Sequence, residues 1–71
     1  MDSDKVAHIH EIVGKSKKSW EYAVKNAIEH VYKKHKDVRG VDVVKMTAKV
    51  ENGKIIEYKA DVKIVIIGWL L

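Results

Sequence analysis

The chain reads as an α+β domain of β-α-β-β order, with a three-stranded antiparallel sheet of order 2-3-1 and one helix packed on one face. Three observations predict this. An apolar stripe at helical spacing runs from Trp20 to Tyr32, a two-residue alternation follows Ile55, and an Asn-Gly pair separates two strand-like runs.

The first strand spans Lys5 to Val13, with Ala7, Ile9 and Val13 on one face and His8, His10 and Ile12 on the other. The first of these faces is the more apolar and is expected to meet the helix. In the helix, Trp20, Ala23, Val24, Ala27, Ile28, Val31 and Tyr32 recur at steps of three and four. Ser16 is the expected N-cap, which starts the helix near Lys17, while Ser19 and Glu21 suit the polarity of a first turn. Lys33, Lys34, His35 and Lys36 crowd the other end, where cations meet free carbonyls, and Gly40 marks the exit.

A second strand covers Val41 to Val50, and Glu51-Asn52-Gly53-Lys54 then supplies a hairpin. Asn-Gly favours a type I′ turn because both central residues need positive φ. The third strand sets Ile56, Tyr58, Ala60, Val62, Ile64 and Ile66 on one face against Glu57, Lys59, Asp61 and Lys63 on the other. The helix carries the chain back across the sheet, so strands one and two run the same way. Strand three reverses at the hairpin, and placing it centrally makes every neighbouring pair antiparallel. The expected core is the helix stripe with Ile9, Val44, Met46, Ile56, Val62 and Ile64.

The 71 residues make one domain, 1–71, in which residues 1–4 read as flexible. There are no cysteines, which excludes disulfide staples and cysteine-based zinc sites. No leader pattern opens the chain and no apolar run approaches a membrane span, so a cytoplasmic location with no membrane partner is the default. One helix on three strands leaves half of the sheet uncovered. The C-terminal run from Ile64 to Leu71 is apolar on both faces, which calls for a partner surface. Trp69 and Leu70 are the expected interface anchors, joined by the alternating charges Glu57, Lys59, Asp61 and Lys63, and the partner is the chain itself.

Chemistry-bearing patterns are few. His8 and His10 point the same way on one strand and would suit zinc or nickel, whereas calcium prefers oxygen ligands; two partly exposed strand histidines are the simpler reading. His30 and His35 have no evident partner. Glu57 and Asp61 alternate with lysines, and no nucleophile–base pair or phosphate-binding glycine loop is present, so the chain is not read as an enzyme. The net charge is +4 and the pI near 9.4, with Lys15, Lys17 and Lys18 at one end of the helix and Lys33, Lys34 and Lys36 at the other. Such lysines could meet phosphates, but no aromatic row accompanies them for stacking bases, which argues against nucleic acid.

The chain resembles the dodecins, small β-α-β-β proteins that assemble as hollow dodecamers and commonly bind flavins. The likeness spans about the whole chain. It rests on Val6, Ile9, Glu11-Ile12-Val13-Gly14, Ser16, Ser19-Trp20-Glu21, Ala23, Asn26-Ala27-Ile28, Val43-Val44, Glu51-Asn52-Gly53-Lys54, Tyr58 and Val62. It implies a homododecamer built from trimers, a non-enzymatic role in storing a small ligand, and FMN, FAD or riboflavin as cofactor.

Three positions depart from the flavin-binding pattern. Flavin-binding dodecins place a ring-stacking tryptophan where this chain has Gly40, a ring-edge glutamine at Lys59 and an arginine at Thr47. Glycine offers no stacking surface and lysine cannot accept a hydrogen bond. The resemblance is therefore to members that lack the stacking tryptophan, some of which are associated with metal ions. Trp20 belongs to the core stripe, and Trp69 is read as an interface anchor rather than a substitute platform. The expectation is a shell that binds flavin poorly or not at all in the standard mode. The alternatives are a flavin-free shell holding another small molecule or a metal ion, and a basic module for nucleic acid or anionic ligands.

Overall fold

The computed structural model describes residues 5–69, and the side chains of 6–68. Strand β1 runs Lys5–Ser16, helix α1 Trp20–Tyr32, β2 Val38–Glu51 and β3 Lys54–Trp69. β3 lies between β1 and β2 and is antiparallel to both, which is the 2-3-1 order expected. Asn52 and Gly53 close the β2–β3 hairpin with φ of 52° and 76°, the two positive angles that a type I′ turn demands.

The helix starts later than the sequence reading places it. Ser19, not Ser16, is the N-cap, its hydroxyl accepting from the Tyr22 amide at 3.1 Å. Ser16 still pairs with Tyr58 in the sheet, and its hydroxyl accepts instead from the Lys18 amide at 2.9 Å. Because β1 runs on past Val13, the chain turns only at Lys17 and Lys18. Glu21 then sits in the first turn, where a carboxylate opposes the helix dipole.

The face of β1 that meets the helix is also the reverse of that expected. Directly opposed residues share a face, and His8, His10, Ile12 and Gly14 oppose Ile66, Ile64, Val62 and Ala60. Ile9 consequently lies 62% exposed on the open side, with Val13 beside it. Gly14 accounts for this choice: a Cβ added there would lie 2.0 Å from the Ala23 carbonyl oxygen and 3.0 Å from the Ala27 Cβ. Only the face bearing Gly14 lets the small residues of α1 approach so closely.

The core is Ala23, Ala27 and Val31 of α1 against Ala60, Val62, Ile64 and Ile66 of β3, with Ile12, Val24, Ile28 and Val38 packed around it. Polar contacts fix the helix start. The Trp20 indole N–H donates to the Thr47 carbonyl at 2.8 Å and the ring meets Tyr58 edge-on, 4.9 Å between centroids. Asn26 donates to the Lys15 carbonyl at 2.8 Å. Trp20 is thereby committed to packing, as its place in the stripe predicts.

β2 departs most from the expected core. Val44 and Met46 are 46% and 56% exposed. The register shifts between Val43 and Lys45, so Val44 is the bulged residue, and the bulge changes which alternate positions face the helix side. Val41 and Val43 oppose Ile64 and Val62 before it, and Met46 and Ala48 oppose Ala60 and Tyr58 after it. Helix α1 buries Ile64, Val62 and Ala60, the β3 partners of Val41, Val43 and Met46, but sits toward the β1 side of the sheet and leaves β2 uncovered, and the molecule extends 53 Å along its long axis. Its radius of gyration, 14.6 Å, exceeds the roughly 11 Å of a compact chain of this length.

Candidate functional site

The open face of the sheet, away from α1, carries the alternating charges of β3. Lys63 is flanked by Glu11 and Asp42, Asp61 by Val13 and Lys45, Lys59 by Lys15 and Thr47, and Glu57 faces Lys49. Rows one and two of this series bring opposite charges together, while the Lys15–Lys59 row sets two ammonium groups side by side. A cavity of about 520 Å³ opens here, lined by Val13, Lys15, Lys45, Thr47, Lys59 and Asp61. Of these, Lys59 and Asp61 were marked by the β3 alternation and Thr47 by the family resemblance. Lys15 and Lys45 were not singled out for this face, because their place depends on the extra length of β1 and the bulge of β2.

Gly40 lies on the same face, opposite Val65, with Ile9 across the row. A Cβ added at Gly40 would meet only the Val65 Cβ, at 4.0 Å, so the position has room for a side chain. Thr47 and Lys59 are direct neighbours. Gly40 is far from both: along β3 its partner Val65 is six residues from Lys59, about 20 Å at ~3.3 Å per residue. Within one chain the three positions do not converge.

His8 and His10 lie on the opposite, helix side. The structure adds a partner that sequence reasoning missed: the His35 ring lies 5.0 Å from that of His10, at 48°. His8, His10 and His35 line a cavity of about 360 Å³ with Lys36, Asp37, Ile66, Ile67 and Gly68, and His30 joins His10 and His35 in an adjoining one. Among the described residues, no three histidine, cysteine or acidic groups are arranged to hold a metal ion. The connection after α1 places His35 there, and nothing in the local sequence pattern marks that return.

A third feature is the uncovered apolar flank on the helix side of β2, made of Val41, Val43 and Met46 with the bulged Val44 beside them. The anchor expected of Trp69 and Leu70 lies outside the described residues, since only the backbone pairing of Trp69 with Lys5 is placed. No helix among the described residues is long and apolar enough to cross a membrane.

The dodecin family model matches residues 6–66. The dodecin of Streptomyces coelicolor superposes with a TM-score of 0.87 at 20% identity, over 93% of this chain and 94% of that one. The dodecin from Streptomyces davaonensis gives 0.85 at 20% identity, over 93% and 97% of the two chains. A tryptophan-to-phenylalanine variant of the T. thermophilus dodecin gives 0.85 at 20% identity, over 90% and 96%. At this identity the superpositions speak for the fold. No curated protein matches the sequence.

Proposed function

The chain belongs to the dodecin family, a family of small flavin-binding proteins, and from that premise we propose that it acts as a single 1–71 domain in a non-enzymatic homo-oligomeric shell, a dodecamer built from trimers, in the cytoplasm. The observation that carries the assembly is the unfinished flank of β2: Val41, Val43, Val44 and Met46 stand exposed on an elongated subunit. A contiguous apolar strip of this kind is closed by a partner, and in a symmetric assembly the partner is another copy. Trp69, Leu70 and the charges Glu57, Lys59, Asp61 and Lys63 are further contacts in this reading.

The shell does not hold flavin in the standard way. Gly40 gives no stacking ring, Lys59 gives no acceptor and Thr47 carries no cation. The distance between Gly40 and the Thr47–Lys59 pair fits a ligand held between subunits, so each loss is repeated at every symmetry-related site. Another small molecule is the preferred cargo. His8 and His10, with His35 beside His10, remain candidates for a borderline metal such as zinc or nickel.

Native mass spectrometry of freshly purified protein, with an absorbance scan, tests both halves. A dodecamer mass without flavin absorbance is expected. A monomer would reject the shell, and a dodecamer carrying flavin would keep the shell and reject the loss of binding. The triple variant Gly40→Trp, Thr47→Arg, Lys59→Gln should gain quenching of riboflavin fluorescence that the parent chain lacks.

A further inference from the structure

We propose that His10 and His35 form a two-imidazole site for a borderline divalent ion, copper(II) before nickel(II) or zinc, which clasps β1 to the return of the chain after α1. This deepens the metal reading above and rests on it, but it moves the site. The histidines that converge are His10 and His35 across two elements, not His8 and His10 along one strand. His8 and His10 share a face of β1, opposing Ile66 and Ile64, yet the His8 ring leans away from its neighbour. Its Cδ2 and Nε2 both lie 3.3 Å from where a Gly68 Cβ would stand, and Gly68 opposes Val6, one same-face row further from His10. The His35 ring instead comes within 5.0 Å of the His10 ring, tilted by 48°.

Two imidazoles bound through nitrogen to one ion, at ~2.1 Å per bond, hold their ring centroids roughly 4.5 to 5 Å apart at square or tetrahedral bond angles. His10 and His35 already stand at that separation, so an ion enters without moving either element. Both ligands ride on fixed backbone. His10 sits in the unbroken β1–β3 ladder opposite the fully buried Ile64. The His35 amide donates to the Val31 carbonyl at 2.9 Å, and the Asp37 carbonyl accepts from the Ile67 amide at 3.2 Å. The return is thus tied to α1 on one side of His35 and to β3 on the other, which fixes the ligand before the ion arrives. Imidazole nitrogen selects borderline ions against calcium and magnesium, which take oxygen. Among the described residues no third histidine, cysteine or acidic group is arranged to join the pair, so water completes the shell. That favours copper(II), the strongest binder in the divalent series and at home with mixed nitrogen and oxygen ligands, over zinc, whose structural sites use four protein ligands. The cavity of about 360 Å³ beside the pair, with Lys36 and Asp37 on its wall, holds room for those waters. Lys34 and Lys36 flank the site, but both are exposed and their charge is screened by solvent.

The test is calorimetric titration of the full, untagged chain with copper(II), nickel(II), zinc and calcium, joined to thermal melts and to electron paramagnetic resonance of the copper form. Copper should bind most tightly, at one ion per chain and with coupling to two nitrogens, and calcium should not bind. A metal that clasps β1 to the return stabilises the fold by mass action, so the melting temperature should rise by about 5 °C or more at ~100-fold excess over Kd. His10→Gln and His35→Gln should each weaken copper by at least about tenfold, the loss seen even for an outer-shell partner, and should remove the thermal shift. His30→Gln, which takes a histidine from the adjoining cavity, should leave both unchanged. Equal losses in His10→Gln, His30→Gln and His35→Gln would reduce the effect to scattered surface histidines and overturn the site. A loss in His8→Gln with none in His35→Gln would return the metal to the strand pair, overturning the clasp while keeping the metal reading, and the absence of copper binding would sink both. Circular dichroism checks that each variant is folded, and His35→Asn stands in should His35→Gln fail. Mass measured on the same sample keeps the shell apart from the site: copper on a monomer would uphold the clasp and reject only the shell.

Discussion

The part of the sheet beneath the helix and the flank formed by β2 are equally apolar in sequence, yet one is closed and the other is not. Under α1, Ala60, Val62 and Ile64 are fully buried, whereas Val43, directly opposite Val62 in β2, remains well exposed. The difference is reach. Gly14, Ala23 and Ala27 let α1 settle onto β1 and β3, and a helix seated that close to one side of the sheet cannot also cover the other. The subunit thus completes the core under α1 and leaves the apolar flank of β2 uncovered.

Gly14→Ala should break the closed side most severely. Its methyl would overlap the Ala23 carbonyl, forcing α1 off the sheet at a cost of about 3 kcal/mol or more, the upper end for overpacking. Gly40→Ala is the matched control on the open side: with only Val65 Cβ near, at 4.0 Å, it should be neutral within about 0.5 kcal/mol. Urea unfolding of both variants compares them directly, and equal losses would mean that close approach of the helix does not distinguish the two regions. Next in size, Ile64→Ala should cost about 3 kcal/mol as a buried truncation, with the melting temperature as readout. A loss as small as that of an exposed residue would place the core elsewhere.

These variants mark where the sequence was legible. From Glu57 to Ile66 the β3 alternation assigned both sheet faces correctly, because a central strand meets neighbours on both sides, whereas a register shift between Lys49 and Val50 leaves Ile56 unpaired. The Asn52-Gly53 turn set the first pairs of the hairpin, Glu51 with Lys54 and Val50 with Ile55, up to that shift. For β1, counting apolar residues favoured Ile9 and Val13, but the close contact is made by the smallest side chain, Gly14, whose signal is the matching Ala23 and Ala27 on α1. For β2, one bulged residue, Val44, was enough to displace the expected face, and bulges have no fixed residue signature in a run such as Val43-Val44-Lys45. The cavity lysines were obscured by the same two irregularities, and the His10–His35 contact depends on a return of the chain that only the tertiary structure provides.

Met46→Asp sharpens the comparison from the open side. A carboxylate there remains hydrated in an isolated subunit, so its helix content should be unchanged, while burial against another copy would leave the charge unpaired. Native mass should shift from the assembly toward smaller species, with association weakened by roughly 2 kcal/mol per contact. An unaltered mass would show that this flank stays in water, and the anchoring would then have to come from Trp69 and Leu70.

The smallest expected effect separates the two serines at the strand-to-helix junction. Ser19→Ala removes the hydroxyl that accepts from the Tyr22 amide, and loss of an N-cap costs about 1 kcal/mol. Ser16→Ala removes only an exposed local contact to the Lys18 amide, worth about 0.5 kcal/mol or less. Since α1 closes only the β1–β3 side, the Ser19→Ala loss should appear in subunit unfolding and leave the mass of the assembly unchanged. Equal losses in the two variants would shift the helix start back toward Lys17, and with it the alignment of Ala23 over Gly14 on which the closed core depends.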